Sequence, residues 1–130
     1  MTEESDSALI VDRKYAEKIL SGEKEWELRT KTVRKRGKIY IISDKKVIGS
    51  VEIINVKGPF SLEELKKYYD KHKVDEDDLI KYSKGKLLYA WVLRNPKKLK
   101  REIVLEDKRG AVVWRKLTKE EIKQIKEQEE

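Results

Sequence analysis

The octapeptide Gly22-Glu23-Lys24-Glu25-Trp26-Glu27-Leu28-Arg29 places charged side chains in a segment that otherwise has the pattern of a short β-strand. Successive side chains of a strand point to opposite faces, so Glu27 and Arg29 share one face while Lys24 and Trp26 share the other. Two interpretations of the charged face remain open. It is either a solvated surface whose Glu27–Arg29 ion pair contributes little in water, or a polar groove in which Arg29 binds a phosphate, a carboxylate or the edge of a base.

The segments on either side of the octapeptide follow a characteristic order. A short amphipathic helix is predicted before it, over residues 13–21. The strand signatures that follow it are Arg36-Gly37-Lys38-Ile39-Tyr40-Ile41, Ile48-Gly49 and Tyr89-Ala90-Trp91. Together with the pattern Gly22-x-Lys24-x-x-Glu27-x-Arg29, this order resembles the ASCH domain family, whose members are relatives of the PUA domain and contain a small β-barrel. The resemblance covers about residues 8–117, and because the family has a wide functional range it indicates the fold better than the activity.

The remaining elements agree with an α+β domain. Strands are predicted near residues 8–12, 23–30, 38–43, 47–56, 86–93, 101–106 and 111–117. Capping boxes at Ser61 and Thr118 begin two further helices, the first of which extends to about Lys71, and Asp75 begins a short helix over residues 76–83. We therefore expect a small, partly closed antiparallel β-barrel of the PUA-like type with two to four peripheral helices.

The domain boundaries follow from the same pattern. Residues 1–7 are polar and are predicted to form a disordered tail, residues 8–117 form the domain, and residues 118–130 form a C-terminal helix. That helix carries apolar side chains only at Ile122 and Ile125, so we expect it to pack weakly. Two dipeptides, Gly58-Pro59 and Asn95-Pro96, are predicted to interrupt the sheet.

Length and composition limit the class of protein. At 130 residues the chain has room for one domain with its own core, and it contains no Cys, which excludes disulfides and thiolate metal sites. The start of the chain is acidic and polar, without the pattern of a signal peptide, and the longest apolar run, residues 87–93, is too short to span a bilayer. We expect a cytoplasmic protein without membrane contact.

Positive charge is concentrated in the middle of the chain. The net charge is +7, from 32 Lys and Arg against 25 Asp and Glu. The first cluster contains Lys31, Arg34, Lys35, Arg36, Lys38, Lys45 and Lys46. The second contains Lys97, Lys98, Lys100 and Arg101. Such clusters attract polyanions, although a Lys-rich surface like that of proteins from hyperthermophiles would give the same pattern without a nucleic-acid partner.

The resemblance implies a cleft lined by Lys24, Glu27 and Arg29 that holds a polar ligand such as a nucleotide. Arg29 would bind a phosphate or base edge, Glu27 would orient Arg29 or accept from an exocyclic amine, and Lys24 would neutralise a phosphate or act as a base. Trp114, next to basic residues, suits base stacking or closure of the barrel. Ser43 either donates to a ligand, as a small polar residue that recurs in similar proteins, or caps a turn.

Enzymatic activity is an open alternative. Some similar bacterial proteins are amidohydrolases that deacylate acetylcytidine, with a lysine at the position of Lys24, but this chain has Glu27 where their threonine stands, and Thr30 is a poor substitute. Another relative cleaves RNA, yet His72 is the one histidine here, so a two-histidine mechanism is excluded. The acidic residues near His72 fit no metal-ligand spacing, and we expect neither metal nor cofactor.

We therefore interpret the sequence as an RNA-binding domain, with RNA or a nucleotide as its partner and a monomer as the favoured state. A hydrolase that uses Lys24 and Glu27 is the alternative, and a protein-interaction module that docks through the terminal helix is a weaker one. The predicted ligand-binding residues are Lys24, Glu27, Arg29, Arg34, Lys35, Arg36, Lys38, Ser43, Lys97, Lys98 and Trp114.

Overall fold

The computed structural model describes residues 6–106 and 113–129, in which six strands form a single sheet with the order β2-β5-β4-β3-β1-β6. The strands are β1 (Ser7–Ile10), β2 (Trp26–Arg29), β3 (Gly37–Ser43), β4 (Lys46–Phe60), β5 (Leu88–Val104) and β6 (Trp114–Lys116). The helices are α1 (Arg13–Leu20), α2 (Leu62–Lys66), α3 (Tyr69–His72), α4 (Glu76–Ser83) and α5 (Lys119–Glu129). The predicted α+β class is confirmed.

The sheet is mixed, so the predicted antiparallel arrangement is wrong at one pair of strands. Strands β1 and β3 run parallel, with Leu9 opposite Ile41, whereas the other pairs are antiparallel. The reason is topological. The segment that contains α1 and β2 connects β1 to β3 and brings the chain back to the edge of the sheet at which β1 begins, so β3 runs in the same direction as β1. Within the described residues the outer strands β2 and β6 are not paired with each other, and closure into a barrel stays a prediction.

Two long strands replace the interrupted ones that the sequence predicted. Strand β5 continues through Asn95-Pro96, and β4 continues through Gly58-Pro59. Both dipeptides coincide with shifts of the β4–β5 register, between Glu52–Arg94 and Ser50–Lys97 in the first case and between Lys57–Ala90 and Phe60–Leu88 in the second. A proline lacks the N–H that the ladder needs, and a bulge accommodates this without ending the strand.

The helix starts are as the sequence predicts, but one helix is shorter. Glu64 N–H donates to the Ser61 hydroxyl at 3.1 Å, and the Glu64 carboxylate accepts from Ser61 N–H at 3.0 Å, so the capping box is present. The predicted helix to Lys71 instead ends at Lys66, and α3 begins at Tyr69. This break turns the His72 ring back towards the Leu65 carbonyl, with 2.8 Å between His72 Nε2 and that oxygen.

The C-terminal helix packs more firmly than its sparse apolar residues indicate. Ile125 is fully buried, in a cluster with Ala8, Tyr40 and Leu117. The Gln128 side chain also bonds to Arg101, accepting from its N–H and donating to its carbonyl oxygen, both at 2.8 Å. The expectation of weak packing is wrong, because these two hydrogen bonds add to one well-buried isoleucine.

The sheet separates two apolar clusters, one on each face. Leu9 and Ile41 belong to the larger cluster with α1 and β2, while Ala8 and Ile42 belong to the smaller cluster below α5. Because adjacent residues of β1 and β3 serve opposite clusters, both faces of these strands are covered. No helix in the described part of the chain is long and apolar enough to cross a membrane.

The predicted tail over residues 1–7 and the predicted strand over residues 111–117 are only partly covered by the described residues. Ser7, which the sequence assigns to the tail, is the first residue of β1 and lies opposite Lys116; residues 1–5 lie outside the described residues. The strand predicted over residues 111–117 is represented by Trp114–Lys116, and residues 111 and 112 also lie outside the described residues.

Candidate functional site

A cleft of about 570 Å³ opens beside the carboxyl ends of β1 and β2. Its walls come from these two strands, from α1 and α4, and from the facing ends of β5 and β6. Ile10, Leu28 and Leu88 give it apolar surface, whereas Glu27 and Arg29 supply charge. A concave, mostly apolar pocket with a few convergent polar groups is the usual form of a small-ligand site.

The charged part of the cleft is a compact ion pair. Arg29 Nε donates to Glu27 Oε2 at 2.8 Å, and Arg29 Nη2 lies 2.6 Å from the same oxygen and 3.1 Å from the Ile10 carbonyl oxygen. The Glu27 side chain is only 8% exposed, which excludes a solvated strand face, while that of Arg29 is 23% exposed and lines the cleft. The ion pair therefore fixes the guanidinium at the edge of the cleft, where solvent still reaches it.

Lys24 is placed differently from the prediction, since it is not among the residues that line this cleft. Its side chain is completely buried and its ammonium donates to the carbonyl oxygens of Trp26 at 2.6 Å and His72 at 2.7 Å. The Glu27 carboxylate lies 3.6 Å from Lys24 Nζ. Burial lowers the pKa of Lys24 to about 8, and the attraction of Glu27 opposes this effect. Lys24 is thus a buried cation that joins β2 to α3.

His72 completes this buried polar cluster. Its Nδ1 accepts from Val74 N–H at 2.9 Å, so the hydrogen bonds assign the proton to Nε2, which donates to the Leu65 carbonyl. Burial lowers the pKa of His72, and the hydrogen bond to Leu65 acts in the opposite direction. Both ring nitrogens are engaged by the backbone, so the ring offers no free nitrogen to a metal.

Two tryptophans form an aromatic wall of the cleft. The rings of Trp91 and Trp114 are stacked, with centroids 5.9 Å apart and planes inclined by 15°. The guanidinium carbon of Arg29 lies 5.9 Å from the centroid of the Trp91 ring, and the Trp91 indole N–H donates to the Lys31 carbonyl oxygen at 2.9 Å. Trp114, one of the predicted ligand-binding residues, therefore lies at the cleft together with Trp91.

Two tyrosines that line the cleft were not predicted by the sequence analysis. Tyr15 donates its hydroxyl hydrogen bond to Asp78, and Tyr82 donates to Asp12 at 2.9 Å. Burial and the hydrogen bond to Asp78 raise the pKa of Tyr15 to about 12. Burial and Asp12 likewise raise the pKa of Tyr82. Tyr15 lies on the apolar stripe of α1, a pattern that indicates core packing and gives no sign that the residue also lines a cleft.

The first basic cluster begins at the rim of the cleft. Thr30, Lys31 and Thr32 line the rim, which the sequence analysis did not predict, and the exposed side chains of Arg34, Lys35 and Arg36 follow. The Nη1 atom of Arg36 donates to the carbonyl oxygens of Val33 at 2.8 Å and Lys35 at 3.0 Å. Lys38 Nζ lies 5.2 Å from the ring centroid of Tyr40.

Among the predicted residues, Lys97, Lys98 and Ser43 also do not line the cleft. Lys97 and Lys98 are exposed on β5, opposite Ser50 and Gly49 of β4, and Lys98 Nζ lies 3.4 Å from Glu17. Ser43 is buried at the end of β3, and its hydroxyl has no hydrogen-bond partner among the described residues. Turn capping by Ser43 therefore gains no support from the described contacts, and nothing in the structure accounts for this buried hydroxyl.

The fold and the site define a class of small α+β domains, with a mixed sheet and an aromatic and cationic cleft at one end. A sequence model of the ASCH domain matches residues 9–103. The chain belongs to the ASCH domain family. This confirms the resemblance that the order of its motifs indicates.

Solved structures support the fold. The crystal structure of an ASCH protein from Zymomonas mobilis has a TM-score of 0.77 at 20% identity, with 93% of each chain covered. A Tyr-to-Phe variant of that protein has a TM-score of 0.77 at 21% identity, with 95% of this chain and 98% of the other covered. A Ser-to-Ala variant has a TM-score of 0.75 at 21% identity, with 93% of this chain and 94% of the other covered. At such identities the likeness concerns the fold alone. The comparison with curated protein sequences gives no match.

Proposed function

We propose that this chain is a cytoplasmic, monomeric RNA-binding domain whose cleft receives one unpaired base. The observation that carries the proposal is the position of Arg29, whose guanidinium lies beside the Trp91–Trp114 stack at the edge of a cleft of about 570 Å³. Proteins that read RNA sequence mostly bind unstacked bases, using aromatic rings and guanidinium planes for stacking. The PUA-like fold, to which the ASCH family is related, is itself associated with RNA binding.

Charge supports a polymeric ligand over a free base. The exposed residues Arg34, Lys35 and Arg36 follow directly on the rim of the cleft, so a strand whose base enters the cleft would carry its phosphates past them. Lys38 follows at the start of β3. Lys97 and Lys98 would form a second, separate contact with the backbone. Neutralising these phosphates releases counterions, so binding should weaken steeply as salt is added.

A hydrolase that acts on a modified nucleoside is the second candidate, and the depressed pKa of Lys24 favours it. Thr30 and Thr32 at the rim would supply hydroxyls. The geometry counts against this candidate, because Lys24 Nζ is buried and already donates to two backbone carbonyls. Incubation with acetylcytidine tests it, since an enzyme of this kind would release cytidine and lose that activity in Lys24→Ala.

The RNA proposal is tested by fluorescence anisotropy with a labelled single-stranded RNA in a series of salt concentrations. The Arg29→Gln variant should bind about tenfold more weakly, since a charge-assisted hydrogen bond contributes roughly 1.5–3 kcal/mol. Arg115→Gln is the matched control, because Arg115 also pairs with a partly buried glutamate, Glu121, at 2.7 and 3.0 Å but does not line the cleft.

Two outcomes would contradict the proposal. Absence of binding by the unmodified chain at low salt would exclude RNA as the ligand. Equal loss of affinity in Arg29→Gln and Arg115→Gln would show that the cleft is not the place where a base is recognised.

A further inference from the structure

Trp91 contacts three separate parts of the cleft. Its indole N–H donates to the Lys31 carbonyl at the rim, its ring stacks on Trp114 of β6, and its face lies 5.9 Å from the Arg29 guanidinium carbon. The backbone of Trp91 is also paired with Glu27, the ion-pair partner of Arg29. One side chain, only 2% exposed, thus touches the rim, the aromatic wall and the cationic group.

The hydrogen bond to Lys31 has a particular consequence for the rim. Residues 30–36 connect β2 to β3, and most of their side chains are exposed. The hydrogen bonds of Arg36 to the Val33 and Lys35 carbonyls stay within this segment, whereas the bond from Trp91 ties the segment to β5. A loop fixed to a buried strand at one such point keeps its position relative to the site, and releasing it raises the population of open conformations.

We infer that Trp91 is the positioning residue of the cleft. It fixes the rim at Lys31 and orients Arg29, so that RNA with a base at the cleft binds more tightly than RNA that lacks this base. The part that concerns RNA rests on the proposed function, whereas the part that concerns the rim does not. Trp91 acts through Lys31 and Arg29, and its own ring is too deeply buried to be the main surface on which a ligand stacks.

The first test needs no ligand. The segment from Lys31 to Lys38 is rich in trypsin sites, so we measure the rate at which trypsin cleaves the folded chain within it, using mass spectrometry. Trp91→Phe keeps an aromatic ring and removes the N–H donor. Cleavage in this segment should become about three- to tenfold faster, as expected for the loss of one hydrogen bond.

The matched control is Trp26→Phe. Trp26 is also a buried tryptophan, but it packs on Phe60 and Tyr68, with ring centroids 5.6 and 5.0 Å away, and does not line the cleft. Its variant should cleave at the rate of the unmodified chain within residues 31–38. Equally faster cleavage in both variants would overturn the inference, because it would reflect a general loosening of the fold. Unchanged cleavage in Trp91→Phe would overturn it as well, because the hydrogen bond to Lys31 would then not hold the rim.

The second test uses a labelled single-stranded RNA and the same strand with abasic sites. In the unmodified chain the intact strand should bind more tightly, and in Trp91→Phe this ratio should fall about tenfold while the dependence on salt stays the same. A structural role alone would leave the ratio unchanged, as expected for Trp26→Phe. An unchanged ratio in Trp91→Phe, despite faster cleavage, would overturn the role in base selection.

Two further outcomes are separable. If the unmodified chain binds neither strand, the proposed function fails, and the trypsin rates alone decide whether Trp91 fixes the rim. If Trp91→Phe does not fold, the unmodified chain still decides the point by NMR. The indole N–H of Trp91 should then exchange slowly with deuterated water, and exchange within the dead time would refute the hydrogen bond to Lys31.

Discussion

The buried ammonium of Lys24 makes the stability of the folded chain dependent on pH in an unusual direction. Burial lowers the pKa of Lys24 from 10.5 to about 8 in the folded state. Between these values the unfolded chain holds a proton that the folded chain has lost, so the free energy of unfolding rises with pH. At about 1.4 kcal/mol per pH unit for one proton, raising the pH from 7 to 10 should add about 2–3 kcal/mol through this residue.

The neutral amine can keep the contacts that hold it. An uncharged lysine still has two N–H donors, which is the number that the Trp26 and His72 carbonyls require. Deprotonation therefore removes the cost of burying a charge without leaving a carbonyl unpaired, although the attraction to Glu27 at 3.6 Å is lost. The pKa of Lys24 is lowered because the cost of burying the charge exceeds the attraction to Glu27.

The measurement is urea unfolding followed by circular dichroism at several pH values from 7 to 10, for the unmodified chain and Lys24→Met. Other groups also titrate in this range, including Tyr15 and Tyr82, whose raised pKa values lower stability above about pH 10. The difference between the two chains isolates Lys24. That difference should grow by about 2–3 kcal/mol towards pH 10.

An exposed lysine provides the control. Lys86→Met should give a curve parallel to that of the unmodified chain, because Lys86 is exposed. Parallel curves for Lys24→Met and the unmodified chain would refute the reasoning, since they would mean that Lys24 carries the same charge in both states throughout the range.

Two further predictions follow from buried groups. Burial lowers the pKa of His72 below 6.5, so below that pH the unfolded chain binds a proton on this ring more readily than the folded chain does. Stability should therefore fall on acidification, by up to about 1.4 kcal/mol per pH unit. The urea midpoints of His72→Gln should lose this dependence on pH, and an unchanged dependence in the variant would contradict the prediction. Ile125→Ala should lower the free energy of unfolding by about 2–4 kcal/mol, because this side chain of α5 is fully buried in the smaller apolar cluster. Ile122→Ala, at a half-buried position of the same helix, should cost clearly less by the same urea assay, and equal costs would contradict the packing described for α5.

Local signals were sufficient for much of the fold. The apolar spacing of α1 and the capping boxes at Ser61 and Thr118 are determined within one or two turns of a helix, so the sequence identifies them directly. Distant pairing is different. The parallel contact of β1 with β3, and the passage of β5 through Asn95-Pro96, depend on neighbours that are remote in the chain. Propensity favours an end to the strand at proline, and tertiary pairing overrides it by forming a bulge.

The candidate site shows the same division. Alternation along β2 correctly puts Glu27 and Arg29 on one face, and the ion pair between them is present. Alternation does not reveal what covers the other face. The position of Lys24 is decided by α3, which brings the His72 carbonyl to its ammonium across 48 positions of sequence. A lysine two positions before a tryptophan gives no local sign of such a partner, so the sequence does not reveal that Lys24 is buried behind Glu27.

The burial of Lys24 nevertheless affects what the cleft can bind. The Glu27 carboxylate lies between two cations, with Arg29 at 2.6 Å and Lys24 at 3.6 Å, so the group as a whole carries one positive charge at neutral pH. With its charge balanced from behind by Lys24, Glu27 holds Arg29 in position without cancelling the attraction of the cluster for an electron-rich ligand. A ligand that presents carbonyl or phosphate oxygens to Arg29 is favoured by this arrangement, and a cationic ligand is not. Under the proposed function, the lysine would therefore contribute to recognition through its charge, without contact with the ligand.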